Sequence, residues 1–234
     1  MFYEVLSRYY DIVFPRNPSA EEFVRHRLPM GAAVADAACG TGTMALALAA
    51  AGMRCTAVDL EPEMIRQARQ KDTQGMVDFR VDNMLNIRNW GSFDAILCLG
   101  NSLSHLDTRD ELRQFFADSR GTLRNRGRCI YQIVNYDRIL AVPEGIDLPT
   151  LGNNDVVFQR RYVPTETGGI RFQSRLEADG QSWDHEIALQ PIESAVFRRM
   201  LEGVGFSVEL FGDYSGRPYN KNSSFSLIAV ADIG

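Results

Sequence analysis

Between residues 33 and 134, short apolar runs alternate with segments of helical periodicity, the pattern of repeated βαβ units. The run A-V-A-D-A (33–37) predicts a first strand, and M-A-L-A-L-A-A-A (44–51) a helix of strong helix formers closed by Gly52. A second strand follows at 54–59. Residues 61–71 then form a helix with acids and a proline in its first turn and basic residues towards its end, the order that suits the helix dipole. Strands are predicted at 76–81 and 93–99, the latter nearly all apolar as a parallel strand covered on both faces requires. A helix near 108–121 and a strand at 127–134 complete this half.

Beyond residue 140 the period changes. The runs 156–163, 170–178 and 182–190 alternate apolar with polar residues and are joined by T-E-T-G-G and D-G-Q, which is turn chemistry. They predict a small antiparallel sheet with one wet face. A helix near 193–203 and strands at 205–211 and 224–231 return to the core, and residues 1–27 read as helical and rich in aromatics. The expected organisation is an N-terminal helical cap segment over 1–30, an α/β domain made of 31–140 and 191–234, and an inserted antiparallel lid over 141–190.

Composition narrows the function classes. The chain has 234 residues, is 45% hydrophobic and carries a net charge of −5, which supports a large α/β core and argues against nucleic acid or an anionic membrane as partner. The tightest basic cluster, Arg120, Arg124, Arg126 and Arg128, reads as a solvated helix end and turn. The four cysteines are scattered, with no spacing suited to zinc, and read as buried thiols of a reducing cytoplasm. No signal-peptide pattern opens the sequence and no apolar stretch approaches the roughly 20 residues of a membrane span.

The candidate chemistry begins at D-A-A-C-G-T-G (36–42). A glycine loop that leaves a first parallel strand and opens a helix lets backbone approach a ligand, with free N–H groups at the helix start. The stretch G-T-G-T-M-A also fits a dinucleotide fingerprint, which keeps NAD in view. Asp36 leans the other way, because a carboxylate at the strand end suits a cationic ligand such as a sulfonium bearing an α-ammonium group. Further polar residues close the next strands: Asp59, then Asp82 and Asn83, then Asn101.

These residues resemble the motifs of the class I S-adenosylmethionine (SAM) methyltransferases. D-A-A-C-G-T-G is similar to their first motif, V-D-L-E-P-E-M-I-R-Q-A-R to their acidic strand end, V-D-N-M to the adenine motif, and F-D-A-I-L-C-L-G-N-S-L-S-H-L to the motif facing the reacting methyl. The resemblance implies a Rossmann-like α/β fold: a seven-stranded, mostly parallel sheet, helices on both faces and the antiparallel lid. It implies SAM as cofactor and S-adenosyl-L-homocysteine (SAH) as product. Asp36, Ala38, Gly40, Gly42, Asp59, Leu60, Met64, Asp82, Asn83, Met84 and Leu99 then form the cofactor site, with Tyr10 closing over it. Asp59 takes the ribose hydroxyls, Asp82 the adenine amine, and Met84 the adenine ring.

A narrower resemblance joins C-L-G-N-S-L-S-H-L, N-Y-D-R-I-L (135–140) and G-D-Y-S-G-R-P-Y (212–219) to the glycine N-methyltransferase branch. It implies methylation of a small-molecule acceptor, with nitrogen favoured. Asn101 and His105 become the catalytic candidates, and Tyr9, Asn101, Asn135, Tyr136, Arg175 and Tyr219 the acceptor-binding ones. In that branch an arginine directly before N-Y-D binds the amino-acid carboxylate; here the position is Val134. Asn101 and His105 also read as a turn asparagine and a capping or core histidine. Trp183 and His185 fall on one strand face with Ile187, which reads as a small lid core, and the four lid arginines Arg160, Arg161, Arg171 and Arg175 read either as solvated or as a receptor for an anionic acceptor. No metal is required for the transfer, and a homo-oligomer is allowed. The alternatives are a small-molecule O-methyltransferase and a SAM-binding module without chemistry.

Overall fold

The computed structural model describes residues 2–233; Met1 and Gly234, at the ends of the expected segments, lie outside the described residues. Five strands follow the predicted βαβ rhythm: β1 (Ala33–Ala37), β2 (Arg54–Asp59), β3 (Val77–Val81), β4 (Phe93–Cys98) and β5 (Leu123–Val134). Between or before them run α1 (Phe2–Val13), α2 (Pro18–Arg25), α3 (Thr43–Ala50), α4 (Pro62–Lys71) and α5 (Arg109–Thr122). After α6 (Tyr136–Leu140) come the lid strands β6 (Ile146–Gly152), β7 (Val156–Pro164), β8 (Ile170–Ala178) and β9 (Gln181–Leu189). The chain closes with α7 (Ser194–Gly203), β10 (Ser207–Phe211) and β11 (Ser226–Asp232).

The main sheet has seven strands in the order β10-β11-β5-β4-β1-β2-β3, and β11 pairs antiparallel with both of its neighbours. The other pairs are parallel. From β1 the chain winds outward to β2 and β3, then returns to β4 on its other side. This reversal of direction is where open α/β sheets bind ligands, at the carboxyl ends of the strands. Alternating residues of the central strands feed separate cores. On one face Ile96, Tyr131 and Ile133 pack with Phe115 and Phe116 of α5 and Phe197 of α7. On the other, Val34, Leu97 and Ile130 pack with Leu48 of α3 and Ile65 of α4. Local chemistry sets the helix starts: Thr108 and Glu111 form a reciprocal capping box on α5, and Asn17 accepts from the Ala20 N–H with Pro18 in the first turn of α2.

A third cluster joins α1 to the lid, where Leu6 and Val13 pack on Val156, Phe158 and Leu176. Two expectations need correction. The N-terminal helical stretch is two helices, because the Asn17 cap and Pro18 restart the chain after Val13. The lid has four strands in the order β6-β7-β8-β9 rather than three. The extra strand, I-D-L-P-T-L-G, carries Pro149 and a register shift between Leu148 and Leu151, features tolerated because it is an edge.

Candidate active site

The strand ends bring most of the expected residues to one edge. Asp36 is the penultimate residue of β1 and is 3% exposed, with its Oδ2 buried and without a hydrogen-bond partner. Burial, and after it the nearby Asp59, raise its pKa to about 7. Asp59 ends β2. Its Oδ2 accepts the Gly40 N–H at 2.8 Å and its Oδ1 the Glu61 N–H at 3.0 Å, so each oxygen keeps a free lone pair for a hydroxyl. Burial pushes the Asp59 carboxyl up, partly offset by these two N–H donors. A buried carboxyl and a half-buried one close enough to repel each other favour a cation beside them.

The loop between β1 and α3 runs through left-handed backbone at Ala38 (φ 64°), Gly40 (φ 56°) and Gly42 (φ 75°). A Cβ on Gly42 would lie 2.5 Å from the buried Phe79 ring, and one on Gly40 would lie 3.1 Å from the ring of Tyr10. The glycines therefore serve both the turn and close packing. Tyr10 comes from α1, and a polar clamp holds that helix down. Asp11 accepts from Thr41 Oγ1 at 2.6 Å and from Lys71 Nζ at 2.7 Å. Nothing in the local pattern of α4 marks Lys71 as a tether for α1; only the tertiary fold brings the two together.

Beyond β3, Asp82 Oδ1 accepts the Asn83 N–H and the Asn86 amide, and Oδ2 accepts Trp90 Nε1 at 2.8 Å. Burial raises its pKa, but these donors outweigh it and leave Asp82 below the usual carboxylate range. Its free acceptor capacity suits one further donor. Asn83 accepts from the Leu85 N–H and starts a 3-10 turn over Met84–Asn89, with Met84 partly buried on the core. Leu60 is 69% exposed beside Asp59, while Met64 is buried in α4. Leu99 is partly buried at the end of β4.

Asn101 has left-handed backbone, φ 74°, and is buried. Its Oδ1 accepts the Val134 N–H at 3.0 Å and is 3.3 Å from Ser104 Oγ, and its Nδ2 donates to Tyr136 Oη at 3.0 Å. It therefore stitches the end of β4 to the end of β5 and aims the Tyr136 phenol. His105 lies in the following 3-10 turn, 6.4 Å from the ring of Tyr3, which is in turn 5.4 Å from His185. His105 keeps exposed surface, but desolvation by the groups packed round its ring, and then His185, lower its pKa from the usual imidazole value, which favours the neutral form at pH 7. Tyr3, pushed up to about 12 by burial and Asp59, and Tyr136, pushed up to about 12 by burial, stay protonated donors.

Four expected residues are engaged by protein partners. The Tyr9 hydroxyl donates to Asp179 at 2.6 Å on a lid turn. Arg175 lies on the outer lid face, held by Glu177 and Asp184. Asn135 and Tyr219 form a latch: the Tyr219 hydroxyl is 2.5 Å from Asn135 Oδ1 and 2.6 Å from Asp137 Oδ2, and the Asn135 amide donates to the Lys221 and Ser224 carbonyls. Tyr214, partly buried and raised in pKa by desolvation and then by Asp36, belongs to the site's surroundings without any local motif to announce it. Among the described residues no group of three or more His, Cys, Asp or Glu is placed to hold a metal ion, and no helix is long and apolar enough to cross a membrane.

Comparison with known proteins gives a consistent picture. A family profile described as "Methyltransferase domain" matches residues 34–127. A glycine/sarcosine N-methyltransferase of Parasynechococcus marenigrum is 32% identical over 205 residues, covering 82% of this chain and 70% of that protein. One from Aphanothece halophytica is 31% identical, covering 83% of this chain and 74% of its own length. Among solved structures, an S-adenosylmethionine-dependent methyltransferase from Clostridium acetobutylicum superposes with a TM-score of 0.83 over the full length of both chains at 19% identity.

Proposed function

The chain belongs to the class I S-adenosylmethionine-dependent methyltransferases, and from that premise we propose that it methylates a nitrogen atom of a small-molecule acceptor and releases SAH. The observation that carries the reading is the buried, unpartnered Asp36 oxygen beside Asp59 at the switch point of the sheet. These residues fit SAM. Its α-ammonium answers the orphan carboxylate, its ribose hydroxyls match the free lone pairs of Asp59, and its adenine amine matches the remaining capacity of Asp82. Leu60 and Met84 supply apolar contact for the ring. When bound, SAM supplies an activated methyl for in-line displacement. The protein's share is alignment, exclusion of water and disposal of a proton if the acceptor amine arrives charged. Neutral His105 can take that proton, and Tyr136, aimed by Asn101, can hold the acceptor. The glycine/sarcosine N-methyltransferase relatives support nitrogen as the acceptor atom. A panel of amines and phenols incubated with labelled SAM tests the choice: label in amines only is expected, and label in phenols only would select the O-methyltransferase reading.

The Asp36 assignment predicts a pH dependence. In the free site Asp36 titrates at about 7. A cationic group against it lowers that pKa, so binding below pH 7 must expel a proton. SAM affinity should therefore rise with pH through 7 and level off above it, with binding roughly tenfold weaker at pH 6 than at pH 8. Calorimetry in two buffers of different ionisation enthalpy measures the proton directly. Release near one proton at pH 6 and near none at pH 8 is expected; no buffer dependence at pH 6 would refute the contact.

A second prediction concerns the acceptor. With Val134 in place of the arginine before N-Y-D, glycine and sarcosine should be poor substrates, with kcat/KM well below the ordinary range of about 10⁴ M⁻¹s⁻¹ and above. Steady-state assays decide it, and a value within that range would show that another residue does the arginine's work on these short acceptors.

A further inference from the structure

The inner face of the lid carries polar side chains that the cofactor site does not use. Register places Leu148, Arg160, Ser174 and His185 in one row across β6, β7, β8 and β9. Strand alternation separates this face from the outer one. Phe158, Tyr162, Leu176 and Leu189 share the inner face and are buried, whereas Arg171 and Arg175 point outward and are exposed. At one end of the inner face the strands pack on α1, and at the other on the core that holds Tyr136. The polar row lies between these two apolar zones. Three of its atoms are buried without a partner: Arg160 Nε, Ser174 Oγ and His185 Nδ1. Ser174 is only 5% exposed.

Buried polar groups are normally satisfied, so three orphans in one row call for a shared ligand. Neighbouring side chains on paired strands are about 5 Å apart, which lets all three reach one small group. The chemistry of the row is that of a donor set: a guanidinium, a hydroxyl, and an imidazole that donates when its proton is on Nδ1. Among the described residues no ion pair involves Arg160, whose Nη2 is tied to the Pro149 carbonyl at 3.0 Å while its Nε stays free. Burial disfavours its charge, and only Tyr162 offsets this. A lid cleft of about 620 Å³ opens on the outer face, where Gln159, Arg161, Gln173, Arg175, Asp184 and Glu186 line it, and it reaches the row only from behind. Those outward arginines are already neutralised by Asp147, Glu177 and Asp184. Arg160 alone in the row has an unmatched charge.

We propose that Arg160, Ser174 and His185 form an oxyanion receptor on the lid, so that the acceptor carries a carboxylate or phosphate group several bonds away from the atom that is methylated. The separation follows from Tyr3, whose ring touches both His185 of the row, at 5.4 Å, and His105, at 6.4 Å. The row belongs to the lid strands, whereas Val134 ends β5 of the main sheet. An acidic acceptor held there would not need the arginine expected before N-Y-D, and glycine would be too short to span both points. The inference rests on the methyltransferase reading and refines its substrate class.

The test uses the full chain loaded with SAH, wild type against Arg160→Gln and Ser174→Ala, with Arg171→Gln on the opposite face as control. Inorganic phosphate and acetate are the binding probes. At ten times its Kd an anion should raise the wild-type melting temperature by about 2 °C or more. That rise should survive Arg171→Gln and vanish in Arg160→Gln, while SAH affinity stays the same in all four proteins. Transfer assays with 4-aminobutyrate against butylamine, and glucosamine 6-phosphate against glucosamine, separate carboxylate from phosphate. One acidic member should be preferred at least tenfold in kcat/KM, and Arg160→Gln should erase that preference mainly through KM. The proposal is overturned if neither anion stabilises the wild type, or if Arg160→Gln responds as the wild type does. Because SAH binding is measured first, those outcomes leave the methyltransferase reading standing; a chain that binds no SAH would remove that reading instead.

Discussion

Replacing Asp59 with alanine is expected to weaken SAM binding about a hundredfold, with the fold retained. The carboxylate does two jobs. It accepts the Gly40 and Glu61 N–H groups at 2.8 and 3.0 Å, which holds the glycine loop and the start of α4 against the end of β2. Its remaining lone pairs are the proposed ribose acceptors. Hydrogen bonds to a charged group contribute about 1.5–3 kcal/mol each, and losing one ribose contact together with the loop's order amounts to about 3 kcal/mol. Asp59→Asn, which keeps one carbonyl acceptor, should fall between alanine and wild type. Calorimetry with SAM, alongside a thermal scan of each free variant, separates binding from folding. An affinity within threefold of wild type in a folded Asp59→Ala protein would remove Asp59 from the cofactor site.

Asn101 should show the opposite pattern. Its side chain ties Val134 to Tyr136 at the edge where methyl transfer is proposed, and its backbone sits at φ 74°. Asn101→Gly keeps that backbone conformation available, whereas Asn101→Ala adds left-handed strain of about 1–2 kcal/mol. In Asn101→Gly the Val134 N–H and the Tyr136 hydroxyl lose their partner, so the melting temperature should drop. Turnover should fall about a hundredfold, because small misplacements from the reacting geometry are costly. SAM affinity should stay within about threefold, since Asp36 and Asp59 are untouched. Loss of SAM binding comparable to that of Asp59→Ala would make Asn101 a cofactor ligand. Full turnover would make it a turn residue and nothing more.

The parts of this arrangement legible from sequence are those with local causes. The strand rhythm, the glycine loop and the polar strand ends follow from patterns within a few residues of one another, and the seven-stranded sheet follows from their order. The fourth lid strand stayed hidden because Pro149 interrupts its alternation, and only pairing with β7 shows that a proline is tolerated there. Arginine content in the lid was visible, but which arginine faces inward depends on register. Arg160 and Arg175 differ by one position of parity once β7 is paired with β8, since Arg160 aligns with Ser174 and Gln159 with Arg175. The clamp of Asp11 by Thr41 and Lys71 and the latch between Tyr219 and Asn135 span 30 to 84 residues of sequence. No local pattern encodes such contacts, so the pairing of Asn135 with Tyr219 stays hidden until the two are brought together.

The central claim is transfer of a methyl group to nitrogen, and the fate of a carbon-13 label measures it. The chain is incubated with SAM labelled in its methyl group and with the preferred member of the acidic amine pairs, and the product is followed by carbon–proton correlation NMR. The expected result is one new N-methyl signal, growing with SAH and appearing about a hundredfold more slowly in Asn101→Gly. A signal from an O-methyl group, or SAM bound but never consumed with any acceptor, would contradict it.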